Sequence, residues 1–168
     1  MPVAVKGGIE LRKALRKFTP DLAKETQKEM ASLLKPIAAK ARGFIPASAP
    51  LSGWGKAAPT ARWYWDGRAA KKGVGYKTTP SKANRSGFRS LARIQNASMS
   101  GAIYETAGRK NPGGNFSPRL PGQLVGNRKM AGRAIFRAWS EDNGKTNAAV
   151  IKAIEDARDK FNKAVGYN

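Results

Sequence analysis

The chain has no cysteine and no histidine. The first absence excludes disulfides and thiolate metal sites. The second removes the commonest metal ligand and the side chain that most often acts as a general base near neutral pH. No apolar run approaches the roughly 20 residues of a membrane span, and the leading MPVAVKGGIELRKAL shows no apolar core of signal-peptide type. There is no internal repeat. Acid is scarce too: 11 Asp and Glu stand against 32 Lys and Arg, a formal charge of +21.

The scarcity is local. Residues 1–45 hold 10 basic and 4 acidic residues, and residues 135–168 hold 6 and 5. Between them, residues 46–134 hold 16 basic residues against two acids, Asp66 and Glu105, a net +14. A segment so charged repels itself unless an anionic partner offsets it, and phosphate contact by Lys and Arg needs no base reading. The expected phosphate-facing or acidic-partner-facing residues are Arg62, Arg68, Lys71, Lys72, Lys77, Lys82, Arg85, Arg89 and Arg93. The bland alternative, a solvated face, normally mixes signs, and this run does not.

Little else in the chain points to chemistry. Asp66 and Glu105 are 39 residues apart, and Glu105 is followed by Thr106 and Ala107, not by the E-x-K triplet of many metal-dependent nucleases. Lys71-Lys72-Gly73-Val74-Gly75 lacks the GKS or GKT ending of a phosphate-binding loop, and no GxGxxG follows a strand. The expectation is a protein that is not an enzyme, with no metal and no cofactor. Arg62-Trp63-Tyr64-Trp65-Asp66-Gly67-Arg68 mixes rings with cations, as single-strand binders do. The stronger reading is that a domain this polar uses its aromatics for packing.

The pattern of elements is α+β: a small antiparallel sheet packed by a long N-terminal helix and a C-terminal helix, with long basic loops. It is read as one domain, 1–168, in three sections: helical over 9–42, basic loop and strand over 43–134, and helical over 135–166. Ile9, Leu11, Ala14, Leu15 and Phe18 mark a short amphipathic helix. Thr19-Pro20-Asp21 starts a longer one to about Ala41, with Leu22, Met30, Leu33, Leu34 and Ile37 on its apolar face. Pro36 should kink that helix or mark the meeting of two.

Residues 43–60 read as a linker anchored by Phe44, Ile45, Leu51 and Trp54. Trp63–Trp65, 75–79 and 88–97 have strand character, and 99–106 is a further strand that would pair with 88–97 as a hairpin turning at Asn96-Ala97-Ser98. Residues 108–128 hold five Gly and three Pro and are expected as an interface loop, disordered or ordered only by a partner, with Arg109, Lys110, Arg119 and Arg128 as its cations and Lys129 just beyond it. Ile135, Phe136 and Trp139 suggest a short helix ending near Asn143-Gly144. The last helix, 147–165 and capped by Thr146 or Asn147, buries Val150, Ile151, Ile154, Ala157, Phe161 and Val165 and pairs Lys152/Asp156, Asp156/Lys160 and Asp159/Lys163 on its other face.

This order of elements resembles the tail-completion proteins of long-tailed bacteriophages, the group that contains minor tail protein Z. The resemblance rests on four features of the chain. A long helix ends in a Pro-containing segment with Gly53 a few residues on. A strand pair follows, its second strand carrying Ala102 and Glu105 shortly before Gly108. An aromatic turn at Ile135-Phe136-Arg137-Ala138-Trp139 comes next, and a C-terminal helix closes the chain. The chain departs from the pattern by one extra residue between Glu105 and Gly108 and by a basic insertion at 55–87. The resemblance implies a structural virion protein of a tailed phage, assembled in the host bacterial cytoplasm as a homo-oligomer, a hexameric ring at the head–tail junction. It also implies double-stranded DNA in the lumen, head-closure, tail-terminator and tail-tube proteins as neighbours, no membrane and no cofactor. The alternative, from charge alone, is a sequence-independent nucleic-acid-binding protein acting outside a virion.

Overall fold

The apolar stripe near the N-terminus folds as helix α1 (Gly8–Phe18), and Thr19-Pro20-Asp21 opens α2 (Pro20–Gly43), in a computed structural model that describes residues 2–3, 7–54, 64–110, 117–127 and 130–166. Thr19 serves both helices. Its N–H donates to Leu15 O at the end of α1, and its carbonyl accepts from Ala23 N–H in the first turn of α2. The helix α2 is continuous through Pro36, which is exposed, so two helices do not meet there.

The remaining elements are β1 (Pro2–Val3), α3 (Gly67–Gly73), β2 (Val74–Lys77), β3 (Ala92–Asn96), α4 (Met99–Thr106), α5 (Ile135–Glu141) and α6 (Lys145–Ala164). The fold is α+β. The strands lie in the order β1-β3-β2, with Pro2 opposite Arg93 and Val3 opposite Ala92 in antiparallel register. Among the described residues no helix is long and apolar enough to cross a membrane.

Several local expectations are corrected. Residues 99–106 form a helix, not the second strand of a hairpin. Ile103 and Tyr104 favour a strand by propensity, but Ser98 caps the segment, its Oγ accepting from Gly101 N–H at 3.1 Å, and Ser100, Gly101, Tyr104 and Glu105 are buried on one helical face. The turn at Asn96-Ala97-Ser98 is real, but it turns a strand into this helix. Residues 67–73, read as basic loop, are helical because the Asp66 carboxylate accepts from Ala69 N–H at 2.8 Å. Tyr64 and Trp65 are not in a strand, and Trp63 lies outside the described residues.

In α6, Val165 lies just past the helix and is exposed, whereas Val150, Ile154 and Ala157 are buried as expected and Phe161 is half-buried. Its cap is Gly144 at φ 77°, following Asn143 at φ 52°, not Thr146 or Asn147. Lys160 pairs with Glu25 and Arg158 with Asp159, and the three expected i,i+4 pairs are absent among the described residues.

The residues group into two compact units, each drawn from non-consecutive segments. One holds 37–75 and 94–143. Its core contains Trp54, Trp65 and Tyr104, with ring centroids 5.2 Å apart for the first pair and 5.8 Å for the second. Helices α3 and α4 pack together in it. The other unit holds 2–36, 76–93 and 144–168. In it Leu15, Ala23 and Ala157 form a cluster that Leu11, Leu22 and Phe161 cover.

Candidate nucleic-acid interface

Five of the expected phosphate-facing cations lie in one stretch of the second unit, residues 76–93, which contains no acid. Its two legs are tied across. Ser81 N–H donates to Ser90 O at 2.9 Å, Ser90 N–H donates to Ser81 Oγ at 3.0 Å, and Asn84 N–H donates to Phe88 O at 3.0 Å. The tip is a side-chain-directed turn: Asn84 Oδ1 accepts from both Ser86 N–H and Phe88 N–H at 2.9 Å, and Gly87 sits at φ 75°. Asn is suited to this role because its short carbonyl substitutes for a backbone acceptor, and Gly meets the left-handed φ without strain. The result is a closed basic loop. Lys77, Lys82, Arg85 and Arg89 on it are exposed, as is Phe88. Among the described residues none of these four cations has an ion-pair partner.

The base of the loop is fastened from inside. Arg12, on α1, is 8% exposed, and its Nη1 donates to Thr78 O in one leg and to Leu91 O in the other, the latter at 3.3 Å. Arg93 Nη1 adds a bond to Thr79 O at 3.1 Å. Burial, and secondarily the charge of Arg16, push the Arg12 guanidinium below its usual pKa. Gly8 lets α1 approach closely, since a Cβ there would collide with the Leu91 side chain. Sequence reasoning missed Arg12. The available signal was its place at i+4 from Gly8 and i−3 from Leu15, inside the face that α1 buries.

The other candidates fall in the first unit and have varied environments. Arg68 and Lys72 are exposed on α3, with Lys71 half-buried beside them. Lys71 and Lys72 occupy its last turn, where cations complement the helix dipole. Arg62, Arg128 and Lys129 lie outside the described residues. Lys110 and Arg119 are exposed. Arg109 is not a free loop cation: it donates to Ala131 O, lies 4.9 Å from the Phe136 ring centroid, and has its pKa lowered by burial. The loop around it is also tied down where it is described. Leu120 is buried, Pro121 O accepts from the Tyr104 hydroxyl at 2.8 Å, and Val125 and Gly132 exchange backbone bonds at 3.0 and 2.8 Å.

Both mid-chain acids hold helices. Asp66 caps α3. Glu105 is 5% exposed, and its carboxylate accepts from Ala134, Ile135 and Phe136 N–H at 2.7, 3.1 and 3.0 Å, the open N-terminal amides of α5. Among the described residues no group of three or more Asp, Glu, His or Cys is placed to hold a metal. Of the other positions carried by the resemblance, Ala102 is exposed on α4 and Gly108 sits at φ 87° just beyond it. Gly53 has nothing within 4 Å of an added Cβ. The aromatics Trp54 and Trp65 are core residues, as the packing reading expected, while Tyr64 is exposed beside a groove of about 380 Å³ that Met99 and Ile103 also line.

No family model matches the chain, and no curated protein or solved structure is found similar to it.

Proposed function

We propose that this chain is a structural protein of a tailed-phage virion, a subunit of a homomeric ring at the head–tail junction, whose basic loop contacts the double-stranded DNA that passes through. The observation that carries the polyanion contact is the loop at 76–93: four exposed cations without an ion-pair partner among the described residues, on a backbone closed by its own hydrogen bonds. A loop already ordered loses little entropy on meeting a partner. Among the described residues none of the chain's own acids forms an ion pair with these four cations. Asp21, Glu25, Glu141 and Asp159 are paired with Lys24, Lys160, Lys40 and Arg158, and Asp66 and Glu105 are spent on helix amides. A foreign polyanion fits better, and phosphate backbone is met without base reading.

The virion assignment rests on the resemblance in element order: the long first helix, the Pro-Gly segment, the aromatic turn and the closing helix. The strand expected to carry Glu105 is the exception, being helical here. The role is one of assembly and needs no catalytic group. Inactivating the encoding gene tests it. The expected outcome is DNA-filled heads without attached tails, with rescue by the gene in trans. Normal tailed particles would refute the assignment and favour a nucleic-acid-binding role outside the virion.

A further inference from the structure

Phe88 stands at the closed tip of the basic loop and is 40% exposed, with Arg85 three residues before it and Arg89 next to it, both exposed. Its root is fixed. Its N–H donates to Asn84 Oδ1 at 2.9 Å, its carbonyl accepts from Asn84 N–H at 3.0 Å, and Gly87 before it takes φ 75°. The ring itself is unanswered. Every other described phenylalanine faces a ring or a guanidinium: the Phe18 and Phe161 centroids are 6.4 Å apart, Arg137 lies 4.0 Å from the Phe44 centroid, and Arg109 lies 4.9 Å from that of Phe136. Among the described residues Phe88 has neither kind of neighbour. A single exposed apolar side chain calls for nothing by itself. This one is pinned by its backbone on a cationic loop that contains no acid.

We propose that Phe88 is a stacking platform for an unpaired nucleobase, with Arg85 and Arg89 on the phosphates beside it. The ligand class is single-stranded nucleic acid. The inference rests on the polyanion contact proposed for this loop and adds what its tip does; it does not need the phage assignment. Rings stack on bases while cations track the backbone, and every base has a π face, so the site tolerates any sequence. In an intact duplex the base faces are covered by their stacked neighbours, whereas a single strand offers base and phosphate together. An apolar protein surface fits less well, because covering the ring would also strip water from Arg85 and Arg89 without supplying acceptors. The pinned root means that little order is lost on binding.

Binding of a labelled oligothymidylate and of an intact duplex, measured over a range of salt, tests this in the parent, Phe88→Ala, Phe88→Leu and Phe88→Trp. Phe88→Leu keeps the apolar bulk but has no π face. The Ala and Leu variants should bind the single strand about tenfold more weakly or worse, and the Trp variant as tightly as the parent. Salt slopes should stay at the parent's, since no cation is removed. Duplex affinity should be the same in all four proteins. Parent-like binding of the single strand by Phe88→Leu, or a loss shared equally by duplex and single strand, would overturn the stacking role and leave the phosphate contact standing. A parent that binds neither form would refute the phosphate contact itself, and the stacking role with it.

Discussion

Glu105 and Arg133 cap each other's helices. The Glu105 carboxylate, on α4, takes three amides at the start of α5, and Arg133, which immediately precedes the N-cap residue of α5, donates Nη1 to Tyr104 O and Ala107 O at the end of α4. The exchange closes both helix ends at once. It also keeps the two opposite charges near each other in a site where burial disfavours the Arg133 cation and Glu105 supports it.

The carboxylate should therefore matter more than a surface acid. Glu105→Ala leaves three amides without their acceptor and Arg133 without its counter-charge, and should cost about 3 kcal/mol or more. Glu105→Gln keeps one acceptor oxygen and should cost less. Urea denaturation of the two variants checks the order; a parent-like midpoint for Glu105→Ala would mean that the capping exchange does not stabilise the fold.

Gly132 is the packing counterpart of the exchange. A Cβ at that position would run into the Glu105 carboxylate and the Phe136 ring. Gly132→Ala should destabilise by about 1–3 kcal/mol, as overpacking does. A melting temperature equal to the parent's would show that the carboxylate has room to move aside.

Arg12 should control the order of the basic loop. Arg12→Met keeps the stem but removes the donors to Thr78 O and Leu91 O. Hydrogen exchange at the Ser81 and Ser90 amides is expected to speed up more than exchange at amides of α4, which belongs to the other unit. Uniform acceleration in both units would mean that Arg12 supports the whole fold and does not act on the loop.

Glu141 gives a pH signature. Hydrogen bonds from Lys40 and from Arg137, in that order, lower its pKa below the usual carboxylate value. A depressed folded-state pKa contributes stability above the unfolded pKa and loses it as pH falls through the folded one. The effect is small at this exposed site. Carboxyl NMR titration should place its midpoint below that of a free glutamate, and Lys40→Met should raise it. No change in Lys40→Met would contradict the ordering of the two partners.

Much of the helical framework was legible in the sequence. The stripe in α1, the Thr19-Pro20-Asp21 start of α2, the Ile135–Trp139 helix and the buried face of α6 all follow from period and caps. Two of the misreadings have one cause. Residues 99–106 and 67–73 are short segments whose type is decided by a neighbour: Ser98 and Asp66 supply caps, and burial of Tyr104 fixes the face. At that length propensity is weaker than a cap plus packing. The cationic segment was legible as charge, but not its closure at Asn84 or its attachment through Arg12, because neither a side-chain-directed turn nor a contact 66 residues apart leaves a periodic trace.

The salt dependence of duplex binding tests the polyanion contact most directly. Lys77, Lys82, Arg85 and Arg89 would be changed together to Gln, and affinity for a random-sequence duplex measured across a range of low salt for parent and variant. Folding should be retained, since exposed changes shift stability by about 0.5 kcal/mol or less each. Weaker binding is expected, with a slope of log affinity against log salt that is shallower by about 0.9 for each phosphate no longer neutralised. An unchanged affinity with an unchanged slope would refute the contact, and would make the loop at 76–93 a solvated surface with no polyanion to meet.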